Sequence, residues 1–323
     1  MKDLAGRLAV VTGGGSGMGR ELVRQLVAEG CSVALCDVST TGMAETRRLC
    51  EQERLAQGLR ITTHVVDVAD ETQVNRFRDE VEKQHEMDRI HLLFNNAGIG
   101  GGGSFLTDDR ESWDKVFGVC WGGVYNGSRA FMPLLVASDE GHIVNTSSVN
   151  GFWAALGLGT PHTAYSAAKF AVKGFTEALI IDLRLNAPHV HASVVMPGHI
   201  GTEIVHNSFR EHGRNPKELT TEQLVEMRAD LAGRGLDLSS VSDEDMRSGM
   251  VAQADLFRDT APTSAAQAAA MILDGVRAGE WRILVGDDAY VLDEMVRADP
   301  TQAYEKPFIE ELQARGVFTQ MGL

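Results

Sequence analysis

Apolar residues along this chain fall into short unbroken runs separated by longer amphipathic stretches. Leu8-Ala9-Val10-Val11 and Ser32-Val33-Ala34-Leu35-Cys36 are runs of the first kind, suited to strands buried on both faces. Strands are predicted near 7–12, 32–37, 61–67, 90–95, 141–147, 190–196 and 281–285. Between the first two, Leu22, Val23, Leu26 and Val27 recur at helical spacing up to Glu29-Gly30. Comparable patterns predict helices near 17–29, 40–57, 71–86, 111–136, 163–186 and 263–278. Alternation of this kind implies an α/β fold: a Rossmann-type doubly wound parallel sheet, helices on both faces, ligands at the carboxyl ends of the strands. No proline-rich linker or internal repeat divides the chain, so residues 1–323 read as a single domain.

Chemistry enters at the strand ends. The first strand runs into Thr12-Gly13-Gly14-Gly15-Ser16-Gly17-Met18-Gly19 and then directly into a helix. A glycine turn set between strand and helix leaves backbone N–H groups free to cradle a pyrophosphate. The second strand ends in Asp37, about 20 residues further on, where an acidic side chain receives the adenine ribose hydroxyls of NAD. Asp37 would repel a 2′-phosphate and Ser16 brings no compensating charge, so the expected cofactor is NAD rather than NADP. Tyr165 and Lys169 stand four residues apart, about one helical turn, and share a face. An ammonium beside a phenol favours phenolate, which predicts a lowered tyrosine pKa and a group able to exchange protons with an alcohol or ketone.

With these features in view, the chain resembles the classical short-chain dehydrogenase/reductase family from about Leu4 to Asp287. Thr12 to Gly19 is similar to that family's Thr-Gly-x-x-x-Gly-x-Gly turn, and Asn95-Asn96-Ala97-Gly98 to its Asn-Asn-Ala-Gly signature. The resemblance implies cofactor contacts from Gly13, Ser16, Gly17, Met18, Gly19 and Asp37. It implies others from Asp67 and Val68 beside the adenine ring, and from Asn95, Ala97 and Gly98. Pro197, Gly198, Ile200 and Thr202 would lie against the nicotinamide. Ser148, after the strand ending near Thr146, stands in the place of the catalytic serine, and Tyr165 and Lys169 match the catalytic pair, with Lys169 also reaching the nicotinamide ribose. One position departs from the pattern: Cys120 stands where the family has an asparagine that helps hold a water linking the lysine to solvent. Either the relay persists through the backbone carbonyl and water, or the replacement is neutral.

Composition narrows the partners. Thirty Lys and Arg against 45 Asp and Glu give a net charge of −15, which argues against nucleic acid. The first residues carry no apolar leader and no run approaches membrane-spanning length, so no membrane association and a cytoplasmic location are expected. Cys31, Cys36, Cys50 and Cys120 lack metal-type spacing and read as free thiols; His189 and His191 alternate on a strand with no third ligand, and no metal site is expected.

Substrate identity would be set in the connecting segments. Residues 203–262 form a long insert whose Ile204, Val205, Phe209, Met227 and Phe257 suit short amphipathic helices. They would form a lid over a medium or bulky apolar substrate, or equally pack on the body or another subunit. Residues 151–162, with Phe152, Trp153, Leu156 and Leu158, are expected to wall the substrate pocket, and Gly100 to Gly103 to form a mobile active-site loop. The tail 299–323, with Tyr304, Phe308, Ile309, Leu312 and Phe318, calls for a partner surface. The resemblance implies a homodimer or homotetramer built partly on helices 111–136 and 163–186. The function expected is an NAD-dependent oxidoreductase interconverting a small-molecule secondary alcohol and a ketone, with Tyr165 as general acid/base. Open alternatives are an NAD(P)-dependent ketone reductase of a steroid-like or sugar-like substrate, or a dinucleotide sensor without catalysis.

Overall fold

The computed structural model describes residues 1–53, 58–156, 161–233 and 237–317. Its first strand, β1 (Leu8–Thr12), is buried along its whole length. The glycine turn leads into α1 (Gly17–Ala28), followed by β2 (Ser32–Asp37), α2 (Thr40–Gln52), β3 (Ile61–Val65), α3 (Glu71–His85) and β4 (Leu92–Asn95). Then α4 (Arg110–Phe117) passes through a π-helical turn, Gly118–Gly122, into α5 (Gly123–Val136). Next come β5 (Gly141–Thr146), α6 (Thr163–Asn186), β6 (Val190–Pro197) and a two-residue strand β7 (Ile200–Gly201). Helices α7 (Ile204–Glu211), α8 (Thr221–Gly233) and α9 (Asp243–Asp259) occupy the long insert. The chain closes with β8 (Thr263–Ser264), α10 (Ala265–Ala278), β9 (Arg282–Val285), α11 (Asp287–Ala298) and α12 (Lys306–Ala314).

The described residues form one parallel sheet of seven strands in the order β3-β2-β1-β4-β5-β6-β9, with β7 and β8 paired apart from it. β1 pairs with β2 on one side and β4 on the other, so the winding reverses between β1 and β4 and a crevice opens there at the carboxyl ends. The pleat divides each strand between two cores. Ala9 and Val11 face Leu22 and Leu26 of α1 and Ile272 and Val276 of α10. Leu8 and Val10 face Phe77 of α3, Phe131 of α5 and Leu183 of α6. Both faces are covered, as a fully apolar parallel strand requires, and the result is a single Rossmann-like domain.

Strand positions agree with the sequence pattern to within a residue or two, and three helical features differ from it. The helix expected over 111–136 is broken by the π-helical turn, which puts Cys120 inward. The helix expected over 40–57 runs to Gln52, and residues 54–57 lie outside the described residues. Helices α11 and α12 are additional. They bury Leu292, Phe308, Ile309 and Leu312 against Trp153, Val194 and Leu284. The tail therefore finds within its own chain the apolar surface that was expected of a partner; Phe318 lies outside the described residues.

Two buried histidines tie this fold to pH. Ser193 Oγ donates to the Glu280 carbonyl (2.5 Å), so it accepts from His142 Nε2 (2.7 Å). That leaves a neutral ring whose Nδ1 is buried with no partner among the described residues. Burial lowers the His142 pKa to about 3 and that of His85 to about 4. Above the unfolded value near 6.5 neither state binds the proton, and below it only the unfolded chain does. Stability is therefore expected to fall as pH drops from about 6.5 towards 4, by up to about 1.4 kcal/mol per pH unit for each histidine. Urea unfolding at pH 7 and pH 5 checks this: His142→Gln should flatten the decline, and an unchanged slope would contradict the assignment.

Candidate active site

The crevice between β1 and β4 is built by close backbone approach. Gly13, at φ +68°, lies against Ala97, and a Cβ on Gly19 would stand 2.1 Å from the Gly13 carbonyl oxygen. Side chains there would close the turn, so glycine is dictated by space as well as by dihedral angle. The Thr12 hydroxyl accepts the backbone N–H groups of Asn96 (2.9 Å) and Ala97 (3.0 Å), while Asn96 Nδ2 donates to the Thr12 carbonyl (3.1 Å). These bonds clip the β4 end to the glycine turn. At the start of α1, Ser16 makes no side-chain cap and the first turn holds no acid, which suits an anion.

Asp37 closes the far end of the crevice. Its carboxylate accepts the N–H groups of Gly15 and Ser39, each at 2.9 Å. The groove of about 1360 Å³ is lined by the turn, Asp37, Asp67, Val68, Ala97, Gly98 and Thr202. Its dimensions and donors fit an extended dinucleotide: N–H groups for the phosphates at one point, a carboxylate for ribose hydroxyls at the other. Gly19 supports the turn from within α1 rather than lining the groove.

The Asn95 side chain turns away from the groove, which leaves its main chain for the expected cofactor contact. Its side chain is 1% exposed and donates to Asn145 Oδ1 (2.8 Å) and Ser128 Oγ (3.2 Å). The pleat turns it into the core beneath α5, and the neighbouring Asn96 takes the groove position.

A second cavity, which shares Met18, Asn96, Gly98, Thr202 and Ile204 with this groove, is lined by Ser148, Tyr165 and Lys169. Ser148 follows β5, and its hydroxyl accepts the Asn150 N–H (3.1 Å). Lys169 is 2% exposed; its Nζ donates to the Thr146 carbonyl (2.9 Å) and lies 5.3 Å from the Tyr165 ring centroid. Burial lowers the lysine pKa. Burial also raises that of Tyr165, although a hydrogen bond with Ser148 pulls the other way. The sequence predicts a lowered phenol; in the structure removal from water dominates and the shift is upward. Cys120 donates its thiol hydrogen to the Ile99 carbonyl (3.2 Å), so this thiol is spent on holding the backbone beside Gly98.

The second cavity, of about 440 Å³, is walled by Val149, Trp153, Leu156, Phe209, Met227 and Phe257. Trp153 is fixed from outside: its Nε1 donates to the Ala303 carbonyl (2.7 Å), and the Ala154 N–H donates to the Tyr304 hydroxyl (3.1 Å). Leu158 lies outside the described residues. The glycines at 100–103 are tied rather than free. Gly102 and Gly103 carbonyls accept the N–H groups of Ala164 and Thr163 at the start of α6, and the Gly100 N–H donates to Ser208 of α7 (2.7 Å). Another tie comes from Asn207 of α7, which donates to Ser16 in the glycine turn (3.0 Å).

Sequence reasoning passed over His162 and His199. The His162 ring lies 4.7 Å from that of Tyr165, and burial lowers its pKa to about 4. His199 directly follows Pro197-Gly198 and lines the same cavity; its place beside that pair was the available signal.

Comparison with known proteins agrees with this geometry. A family model described as short chain dehydrogenase matches residues 7–213. SadH of Mycobacterium tuberculosis, described as an oxidoreductase, is 33% identical over 297 residues, covering 92% of each chain. A short-chain dehydrogenase/reductase from Burkholderia phymatum, solved in complex with NAD, matches with a TM-score of 0.73 at 27% identity, over 93% of this chain and 96% of that one. A metagenomic short-chain oxidoreductase, solved in complex with NADP, matches with a TM-score of 0.54 at 30% identity, over 60% of this chain and 83% of that one. With a family model across more than half its length and a relative aligned along nearly all of it, the chain belongs to the short-chain dehydrogenase family of nicotinamide-dinucleotide oxidoreductases.

Proposed function

We propose that the protein is an NAD-dependent dehydrogenase interconverting an apolar secondary alcohol and its ketone. The observation that carries this reading is the meeting of Ser148, Tyr165 and Lys169 in an apolar cavity that adjoins the dinucleotide groove through their common lining of Met18, Asn96, Gly98, Thr202 and Ile204. A nicotinamide dinucleotide, when bound, supplies the hydride acceptor or donor. The remaining work falls to the chain. Ser148 donates a hydrogen bond to the substrate oxygen and stabilises charge that develops on it. Tyr165 takes the hydroxyl proton in oxidation and returns it in reduction. Lys169 opposes the desolvation of the phenol and holds ribose hydroxyls. Run towards the alcohol, the same groups make a ketone reductase, and the neutral phenol favoured by burial suits that direction.

Cavity chemistry narrows the substrate. Among the described residues, no Asp or Glu lines it, although the chain carries 45 of them. A cationic amine would find no counter-ion there, whereas a neutral apolar alcohol or ketone would meet aromatic and aliphatic walls. Helices α7 to α9 form the lid in this reading. Self-association as a dimer or tetramer would use the face on which Tyr125, Phe170, Ile181 and Leu185 are exposed.

The first test follows reduced-nicotinamide absorbance with a panel of apolar secondary alcohols. Tyr165→Phe should lower turnover by about two to four orders of magnitude, with NADH binding by fluorescence retained. Retained turnover would overturn the assignment.

Cofactor choice rests on Asp37. In this reading its carboxylate receives the adenine ribose hydroxyls and would repel a 2′-phosphate, and the nearby Arg20 is already bonded to Thr46 (3.1 Å) and to the Gly15 carbonyl. Asp37→Ser should raise the KM for NAD about tenfold, the size of one or two lost hydrogen bonds, and improve use of NADP. Unchanged preference in steady-state kinetics would remove Asp37 as the determinant.

A further inference from the structure

One residue joins the cofactor rim to the insert with its main chain on one side and its side chain on the other. His199, 4% exposed, follows Pro197 and Gly198 at the end of β6. Its backbone N–H donates to Asp288 Oδ2 (2.6 Å), and the other oxygen of that carboxylate accepts the Ala289 N–H (3.0 Å). Asp288 is itself 6% exposed, in the first turn of α11. The fit is tight: a Cβ on Gly198 would stand 2.3 Å from Asp288 Oδ1. The turn bearing Pro197 and Gly198 is thereby clamped to the body of the sheet, with the Gly198 N–H on the Val285 carbonyl (2.9 Å) as a second hold.

The imidazole leaves in the opposite direction. Its Nε2 lies 2.6 Å from the Phe257 carbonyl of α9, which can only accept, so Nε2 carries the hydrogen. The two rings also meet, with centroids 4.4 Å apart. Phe257 and Met250 of α9 wall the apolar cavity on the side facing Pro197, Gly198 and Ile200. A further hold lies close by: β7, directly after His199, pairs with β8 just beyond α9 (Ile200 with Thr263, Gly201 with Ser264), so the His199 side-chain bond adds to a backbone pairing at the end of α9. Arg258 pairs with Glu203, but both lie in the insert itself. The α7 bonds to Ser16 and Gly100 hold a different helix, to the opposite side of the crevice.

We infer that His199 is a positioning residue that pins α9 to the cofactor rim, through Asp288 behind it, and so fixes the width of the cavity and the substrates it admits. The inference rests on the proposed reading of the insert as a lid over an apolar substrate. A bond between the lid and the turn beside the nicotinamide position places the Phe257 wall relative to the reacting carbon, so substrate affinity depends on it more than the chemical step does.

Two variants separate the bond from the ring. His199→Phe keeps an aromatic contact with Phe257 and loses the N–H donor; His199→Gln can restore a donor. Hydrogen exchange is measured on the free protein, without substrate. In His199→Phe, amides of residues 243–259 should exchange about tenfold faster, the effect of one lost hydrogen bond, with β6 and β9 unchanged. In kinetics, KM for the alcohol should rise about tenfold while kcat and the KM for NAD stay within about twofold. His199→Gln should recover most of both effects. Unchanged exchange at 243–259, faster exchange spread equally through β6 and β9, or no recovery with glutamine would each overturn the inference. If the wild type oxidises no alcohol, the proposed activity falls while the exchange result still decides the tether.

Discussion

A buried ammonium sets the terms for this site. Lys169 projects from α6 into the space behind the β5 end, 2% exposed, with the Thr146 carbonyl as its hydrogen-bond acceptor at 2.9 Å. A charge taken out of water needs polar company, and the surrounding chain is shaped to admit it. Gly98 passes close enough that a Cβ there would lie 3.5 Å from Nζ. Gly151 leaves room for the Ser147 hydroxyl to reach the Lys169 carbonyl (2.7 Å), where a Cβ would stand 2.2 Å from that hydroxyl oxygen. Gly151 is thus explained by the lysine's seat, whereas Gly98 has room for a side-chain carbon in ordinary contact. The tyrosine one turn earlier inherits the same dry surroundings, which push its pKa up.

The cavity beyond that lysine is assembled from segments far apart in the chain. Its wall at Trp153 is held by the Ala303 carbonyl and by Tyr304, and Phe308 packs against the same indole at 6.0 Å. The tail is therefore a buttress for the loop joining Ser148 to Tyr165, and its apolar residues have a use within one chain. The opposite wall comes from the insert. A site supported in this way can change substrate by changing the supports, leaving the sheet and its strand ends untouched.

Much of this was legible in the sequence because parallel strands leave little freedom. Unbroken apolar runs located the strands, and every strand end that carried a polar residue fell at one rim. Asn95 shows where finer reading was possible. Leu93 belongs to the core beneath α5 and Phe94 to the opposite core, so strict alternation already sends Asn95 inward with Leu93. Two adjacent asparagines hid that parity. Helices α11 and α12 also left a trace, since Ala289, Leu292 and Met295 recur at threes, and Phe308 and Leu312 at four. The π-helical turn left none, because its extra residue changes no local composition. Nor could spacing reveal the direction of the Tyr165 shift: sequence gives the neighbouring charge but not the loss of water around it.

Charge placement resolves an apparent conflict between a net charge of −15 and an anionic cofactor. The phosphates would not meet the protein's average field; they would meet the first turn of α1, whose N–H groups are uncapped by any side chain of Ser16 and free of acid. Arg20 stands one turn further along the same helix, bonded into the turn through the Gly15 carbonyl. Carboxylates do line the groove, at Asp37, Glu45, Asp67, Glu111, Asp114, Glu203 and Glu211, but Arg20, Arg110, Lys115 and Arg210 line it beside them. The apolar cavity, by contrast, has no carboxylate among its described lining. Negative charge is thus kept out of the first turn of α1, and a local arrangement of dipoles within a few ångströms outweighs a distributed charge screened by solvent.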